Sequence, residues 1–270
     1  MRFVTSWLAA GLCVCLSPAL AGAVSLGNNR PLITLSLARG EAVQGSIEVV
    51  NNGESPISVK AYLADWRYSD AGDGTKEFVP PATLPRSCAE WISFLPQTLE
   101  IPAHGKAVVD YTVRVPGDET LEGGYYAVLF FESIIGELPD VQQDGAVVRF
   151  AARIGSLFDI EIQQTARREG RLTLRPLAAP DASGPFALEA VLANEGNTTL
   201  QCENTFHVMG TDGVVVGRGQ LPKGYLSPGQ RVPLSGFWQE PLSAGAYSVV
   251  VTADCGETLV LVEEQALTVP

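Results

Sequence analysis

Gly45-Ser-Ile-Glu-Val-Val-Asn-Asn-Gly53 decides how the rest of this 270-residue chain is read. Ile47, Glu48 and Val49 alternate apolar and polar, the two-residue period of a strand with one face in a core and the other in water. Asn51-Asn-Gly53 then ends the strand with residues that suit a tight turn, the glycine being expected to supply positive φ. Working outward, the same kind of run recurs at Ile57-Ser-Val-Lys-Ala-Tyr-Leu63, Ala107-Val-Val-Asp-Tyr-Thr-Val113 and Tyr125-Tyr-Ala-Val-Leu-Phe-Phe131. Gly, Pro, Asn and Asp separate the runs, and no stretch has the 3.6-residue period of a long amphipathic helix. Many short strands punctuated by turns predict an all-β chain.

The order of signals appears twice. In the first half Asn51-x-Gly53 ends a strand, Pro102-Ala-His-Gly105 introduces another and Gly124-Tyr125 opens a third; in the second half Asn194-x-Gly196, Pro228-Gly229 and Gly245-Ala-Tyr247 take those places. The first copy is longer, chiefly around Asp70–Glu77 and Pro80–Pro96. Two tandem immunoglobulin-like β-sandwich domains are therefore expected after a cleaved signal peptide. The expected divisions are a signal peptide over residues 1–23, a first domain over 24–137, a polar linker over 138–145 and a second domain over 146–270. Asp212-Gly213 marks a hairpin inside the second domain.

The signal-peptide expectation rests on Met1-Arg2, the apolar run Trp7–Leu16 and the small residues Ala19, Ala21 and Ala23, with cleavage after Ala21 or Ala23. No later apolar run approaches the ~20 residues of a spanning helix, so no integral membrane span is expected. The chain carries 18 Lys and Arg against 30 Asp and Glu, a net charge of -12. With no basic patch to neutralise phosphates, nucleic acid is an unlikely class of partner. An oxidising compartment permits disulfides, and Cys202–Cys255 is the preferred pairing. It leaves Cys88 as a buried free thiol or a site of intermolecular pairing.

Little in the sequence suggests chemistry. Its two histidines, His104 and His207, fall in different halves, and no metal site or cofactor is expected. No nucleophile elbow, supported Cys/His pair or phosphate-binding glycine loop is present, which argues against an enzyme. Asp70-Ala-Gly-Asp73-Gly-Thr-Lys-Glu77 is rich in oxygen ligands but lacks the alternating acidic spacing of a calcium loop, and it reads as an acidic hairpin tip. Trp66 and Trp91 read as packing residues, whereas Trp238, on a polar stretch, could face solvent.

The first half, with Asn51-Asn-Gly53, Trp66, Glu77-Phe-Val-Pro-Pro81, Trp91-Ile, the Pro102–Gly105 corner, Tyr111-Thr-Val-Arg-Val-Pro116 and Gly124-Tyr-Tyr126, resembles the peptidoglycan-binding domain of WxL-interacting surface proteins. The likeness runs on into Val147–Gly155, a strand that opens the second domain in that group. The chain is also similar to the PapD-like periplasmic pilus chaperones, which have two such sandwiches and complete a subunit's fold with a strand. That resemblance implies an exported, non-catalytic protein, periplasmic or at the cell surface, acting as an assembly factor or scaffold. Its partner would be an envelope protein such as a surface or pilus subunit. The first resemblance implies peptidoglycan as the alternative ligand. A donor strand would lie in Gly124–Ser133, with Tyr125, Ala127, Leu129 and Phe131 as partner-binding residues, and Arg149 and Arg153 beside Arg30 as candidates for the charged anchor.

Overall fold

A computed structural model describes residues 25–139, 147–177, 186–256 and 259–270. The expected signal peptide lies outside the described residues, as does most of the expected linker. Ten strands build the first sandwich: β1 (Leu26–Asn28), β2 (Leu32–Leu37), β3 (Ala42–Asn51), β4 (Ile57–Tyr68), β5 (Lys76–Val79), β6 (Ile92–Leu95), β7 (Thr98–Ile101), β8 (Lys106–Arg114), β9 (Gly124–Pro139) and β10 (Val147–Ile162). Seven build the second: β11 (Gly170–Leu174), β12 (Phe186–Asn194), β13 (Leu200–Gly210), β14 (Val215–Leu226), β15 (Arg231–Trp238), β16 (Gly245–Asp254) and β17 (Val260–Val269). The only helical turn among the described residues is the short 3-10 segment Ala89–Trp91.

In β3 the alternation does what its pattern predicts, since Ile47 and Val49 are fully buried while Ser46 is exposed. The first sandwich stacks a sheet in the order β1-β3-β8-β6 on one in the order β2-β10-β9-β4-β5, with β7 also on β4. Ile47, Ile101, Phe131 and Phe158 fill the space between them. The second sandwich pairs β11-β12-β15 with β14-β13-β16-β17 around Leu188, Leu192, Phe206 and Val251. Cys202, on β13, and Cys255, just beyond β16, are joined as a disulfide on neighbouring strands. Cys88 is a free thiol, wholly buried in the first core, and burial pushes its pKa well up.

The boundary between the domains is not where the sequence suggests. β10 was expected to open the second domain, but it is the return arm of a long hairpin with β9, pairing from Val147 opposite Pro139 to Glu161 opposite Gly124. Its far end also pairs in parallel with β2, and Phe158, Ile160 and Ile162 lie in the first core. The strands on both sides of the polar stretch thus belong to the first sandwich, and the passage to the second follows Ile162.

The repeated Asn-x-Gly motifs sit at equivalent corners, but their chemistry differs from the expected glycine turn. Asn51 Oδ1 accepts the Gly53 N–H at 2.9 Å, and its Nδ2 donates to Ser55 O at 2.8 Å and Pro102 O at 3.0 Å. Asn194 Oδ1 accepts the Gly196 N–H at 3.0 Å, with Nδ2 donating to Thr198 O at 2.8 Å and Leu226 O at 3.3 Å. Neither Gly53 nor Gly196 has positive φ. The buried amide therefore stands in for backbone at each corner. At Gly196 the need for glycine is spatial, because a Cβ there would stand 2.2 Å from Arg167 O.

Candidate interaction edge and interdomain cleft

The strand expected to receive a partner is an interior one. β9 is hydrogen-bonded to β10 on one side and β4 on the other, and Ala127, Leu129 and Phe131 are each 0% exposed. Their neighbours Tyr126, Val128 and Phe130 are buried too, in a separate cluster with Trp66 and Tyr68 on the outer face of the same sheet. A strand covered on both faces has no alternation to display, which is why its continuous apolar run resembles a binding strip. Tyr125, at the strand's start, packs its ring 4.5 Å from that of Trp91, with Arg86 5.7 Å over it.

The open edge belongs to β10. Its parallel ladder with β2 begins at Leu157 opposite Leu32 and runs only toward Ile162. Before Leu32 the chain changes sheets, and β1 pairs with β3. Among the described residues no strand is therefore paired with Val147–Ile154 on the side away from β9, while Asn28 and Pro31 hold the next residues, Gly155 and Leu157. Gly155 O accepts Asn28 Nδ2 at 3.1 Å and Leu157 N–H donates to Pro31 O at 2.9 Å, so the backbone groups of these residues point away from β9. By strand alternation those of Arg153 and Ala151 do the same, up to the irregularity in the ladder between Ala151 and Phe150.

The side chains along this edge fall on two faces. Ile154, Ala152 and Phe150 continue the core-facing row of Phe158 and Ser156, Ile154 still packed against the first core and Phe150, 47% exposed, beyond it. Ser156 and Ser133 share that face, and their hydroxyls are buried without a hydrogen-bond partner. On the outer face the Arg153 guanidinium lies 4.4 Å over the Phe130 ring and 3.5 Å from Tyr62 Oη, which donates to Glu132 at 2.6 Å. Ile134, opposite Ala151, is 58% exposed. Arg149 lies opposite Glu137 in the ladder. The signal that locates this edge is the length of the β9–β10 hairpin relative to β2, a property of pairing and not of any motif.

The second feature is the junction between the sandwiches. A cleft of about 250 Å³ is lined by Trp66, Arg67, Pro85, Arg86, Tyr126 and Pro228 among others. Both arginines are already engaged: Arg67 with Glu77 at 2.7 Å, and Arg86 with the carbonyls of Glu122 and Gly124. Arg30, at the turn before β2, is exposed and does not line this cleft, and neither does Arg153. The domains are bonded directly. Thr199 N–H donates to Tyr126 Oη at 2.8 Å, Gln201 Nε2 to Tyr68 Oη at 3.0 Å, and Gln230 Nε2 to Tyr68 O at 2.8 Å. Beside the two tyrosines, Asp159 is pushed up to about 6, by burial first and by Glu161 second. Burial, with Asp159 adding to it, pushes Tyr68 and Tyr126 each to about 12.

The Asp70–Glu77 loop is part of this junction. Gly72 O accepts Tyr225 N–H at 3.0 Å, and Cβ atoms at Gly72 and Gly74 would meet Val232 and Tyr225 of the second domain. Its Asp73 caps the turn through Thr75 N–H at 2.9 Å, and no cluster able to hold a metal ion occurs among the described residues. The expectation that Trp238 faces solvent is corrected as well: it is 8% exposed and packs with Phe206 in the second core.

No family model matches the sequence, and no curated protein matches it. Solved structures do share its two-domain plan. The class 5 fimbriae chaperone CfaA is 11% identical over 91% of this chain and 100% of its own, with a TM-score of 0.48. The Escherichia coli chaperone DraB is 11% identical over 92% of this chain and 97% of its own, with a TM-score of 0.43. A chaperone–tip adhesion subunit complex of the Csu pili of Acinetobacter baumannii gives 12% identity over 92% of this chain and 99% of that one, with a TM-score of 0.41. At these identities the likeness is one of architecture, and no residue of the edge or cleft acquires a role from it.

Proposed function

We propose that this protein is an exported, non-catalytic assembly factor or scaffold of the cell envelope that binds an extended segment of another protein by adding it, as a strand, to the free edge of β10. The observation that carries this reading is the stretch Val147–Ile154, which among the described residues is paired with a strand on one side only and has a row of apolar side chains leading out of the core. An unpaired ladder offers main-chain hydrogen bonds for affinity, and alternate side chains offer selection. The partner's inward residues would meet Ile154, Ala152 and Phe150. Export is read from residues 1–23 of the sequence, and a surface or pilus subunit, as the second resemblance implies, is the partner class proposed.

Ala151→Pro tests the reading. The Ala151 N–H points to the open side, so proline removes a donor that only an incoming strand would use. Capture of a protein partner from a native envelope extract should be lost with this variant, while its far-UV circular dichroism and thermal transition stay close to those of the wild type. Undiminished capture by Ala151→Pro would contradict the proposal.

A further inference from the structure

We propose that a gap in the ladder of β4 is a separate peptide slot, which takes a short extended segment of another protein carrying an apolar residue between charges of opposite sign. On the side away from β9, β4 is covered in two pieces. β7 pairs with Ile57–Lys60 and β5 with Asp65–Tyr68, so among the described residues no strand is paired with Ala61–Ala64 there. Ala61 N–H donates to Gln97 O at 2.8 Å and Ser69 N–H to Thr75 O at 2.9 Å, both on that side. Strand alternation turns the N–H and C=O of Leu63 the same way, and among the described residues neither has a partner. β5 ends before Pro80 and β7 begins after Pro96, prolines that have no N–H to continue either ladder. The strand from Ala61 to Asp65 covers about 13 Å, room for about three residues of an extended chain.

The gap opens onto a notch of about 570 Å³ between the exposed side of β4 and β6, the edge strand of the facing sheet. Ala61, Leu63, Ala89 and Phe94 line it and pack with the first core. Pro81 and Ala82 line it too, on the loop that the buried Asp65 holds through the N–H groups of Ala82, Thr83 and Leu84. The pleat decides what fits. A residue that exchanges hydrogen bonds with Leu63 stands directly opposite it and carries its side chain on the same face, toward the first core. An apolar side chain suits that place. Its neighbours along the segment turn to the other face, the face of Lys60 and Tyr62. Lys60 and Glu90 both line the notch, are exposed and make no ion pair among the described residues. An acidic group on the segment would meet Lys60, and a basic one Glu90. The slot and the β10 edge lie on opposite sides of β9, so neither depends on the other.

Heptapeptides displayed on phage, panned against the mature protein carrying Ala151→Pro so that the β10 edge is impaired, should enrich sequences with an apolar residue between an acidic and a basic one. Lys60→Glu combined with Glu90→Lys changes only exposed side chains and should select the opposite order of charges. A synthetic peptide from the first selection should bind this double variant about tenfold more weakly, as two exposed ion pairs become repulsive. Bound to the Ala151→Pro protein, the same peptide should slow hydrogen exchange at the Leu63 amide, which contacts through side chains alone would leave unchanged. Panning that enriches nothing above an uncoated surface overturns the inference. So do peptides indifferent to the exchange of charges, or binding that leaves the Leu63 amide exchanging as before. Partner capture with Ala151→Pro judges the β10 edge separately, so either site can fail alone.

Discussion

Asn51 and Asn194 show how a single side chain can substitute for backbone. Each is buried, each accepts from an N–H two residues on, and each donates to carbonyls of loops that would otherwise be left without partners. Asn194→Ala should lower stability by about 3 kcal/mol, because several buried groups lose their partner at once. A shift of the urea midpoint at constant slope checks this. Asp65 does a similar task invisibly: its buried carboxylate accepts from the N–H groups of Ala82, Thr83 and Leu84 and from the Ser87 hydroxyl, tying down the loop after β5.

Asp159 gives the residue scale a pH dependence. Its pKa in the folded protein is raised from 3.8 to about 6, so the folded state binds a proton more readily than the unfolded chain. Stability therefore falls as pH rises from about 4 through about 6, and the penalty of the ionised form is fully present above that window. Asp159→Asn should flatten this part of the profile and raise the melting temperature at neutral pH. Thermal melts of both proteins across pH 4–7 make the comparison; an unchanged slope would show that Asp159 is not the group responsible.

At the scale of elements, sequence periodicity located the strands whose faces differ. β3 and β8 alternate because one face meets the core and the other meets water, and the signal is in their composition. β9 carries no such signal, since Leu129 and Phe131 enter one cluster and Val128 and Phe130 another. Its central position depends on which strands flank it, and that is fixed by long-range pairing. The same limitation hid the edge of β10 and moved the domain boundary, because the strand that follows the polar stretch pairs back onto β9. Disulfide candidates were legible because Cys202 and Cys255 lie on strand-like segments of one half, while the junction role of Asp70–Glu77 was not, since it depends on the second domain's Tyr225 and Val232.

The two kinds of strand predict opposite mutant behaviour. Leu129→Asp or Phe131→Asp buries a carboxylate with no partner and should unfold the first sandwich, at a cost above about 4 kcal/mol, whereas Ala151→Pro should leave it folded. Loss of partner capture by Leu129→Asp without loss of near-UV circular dichroism would return β9 to candidacy as a binding strand. Reduction of Cys202–Cys255, which closes a sequence separation of 53 residues, should destabilise the second sandwich by about 2–5 kcal/mol, observable as a lowered melting transition in dithiothreitol.

For the whole molecule, the two sandwiches are joined through contacts that leave little room for added atoms. Gly123 has φ of 72°, and a Cβ there would stand 2.2 Å from Asn197 O of the second domain. Gly123→Val should therefore loosen the junction, and small-angle scattering should report a larger radius of gyration than for the wild type while both domains stay folded. An unchanged radius would mean that the remaining bonds, among them Thr199 to Tyr126 and Gln201 to Tyr68, suffice.

Amide hydrogen exchange, read at Ala151 and Arg153, is the most direct test. In dilute protein these outward-pointing amides should exchange quickly while those of Leu129 and Phe131 are protected, and on adding the captured partner Ala151 and Arg153 should become protected. Slow exchange at Ala151 and Arg153 before any partner is present, or no change there when it binds, would contradict the claim that the free edge of β10 is where this protein binds.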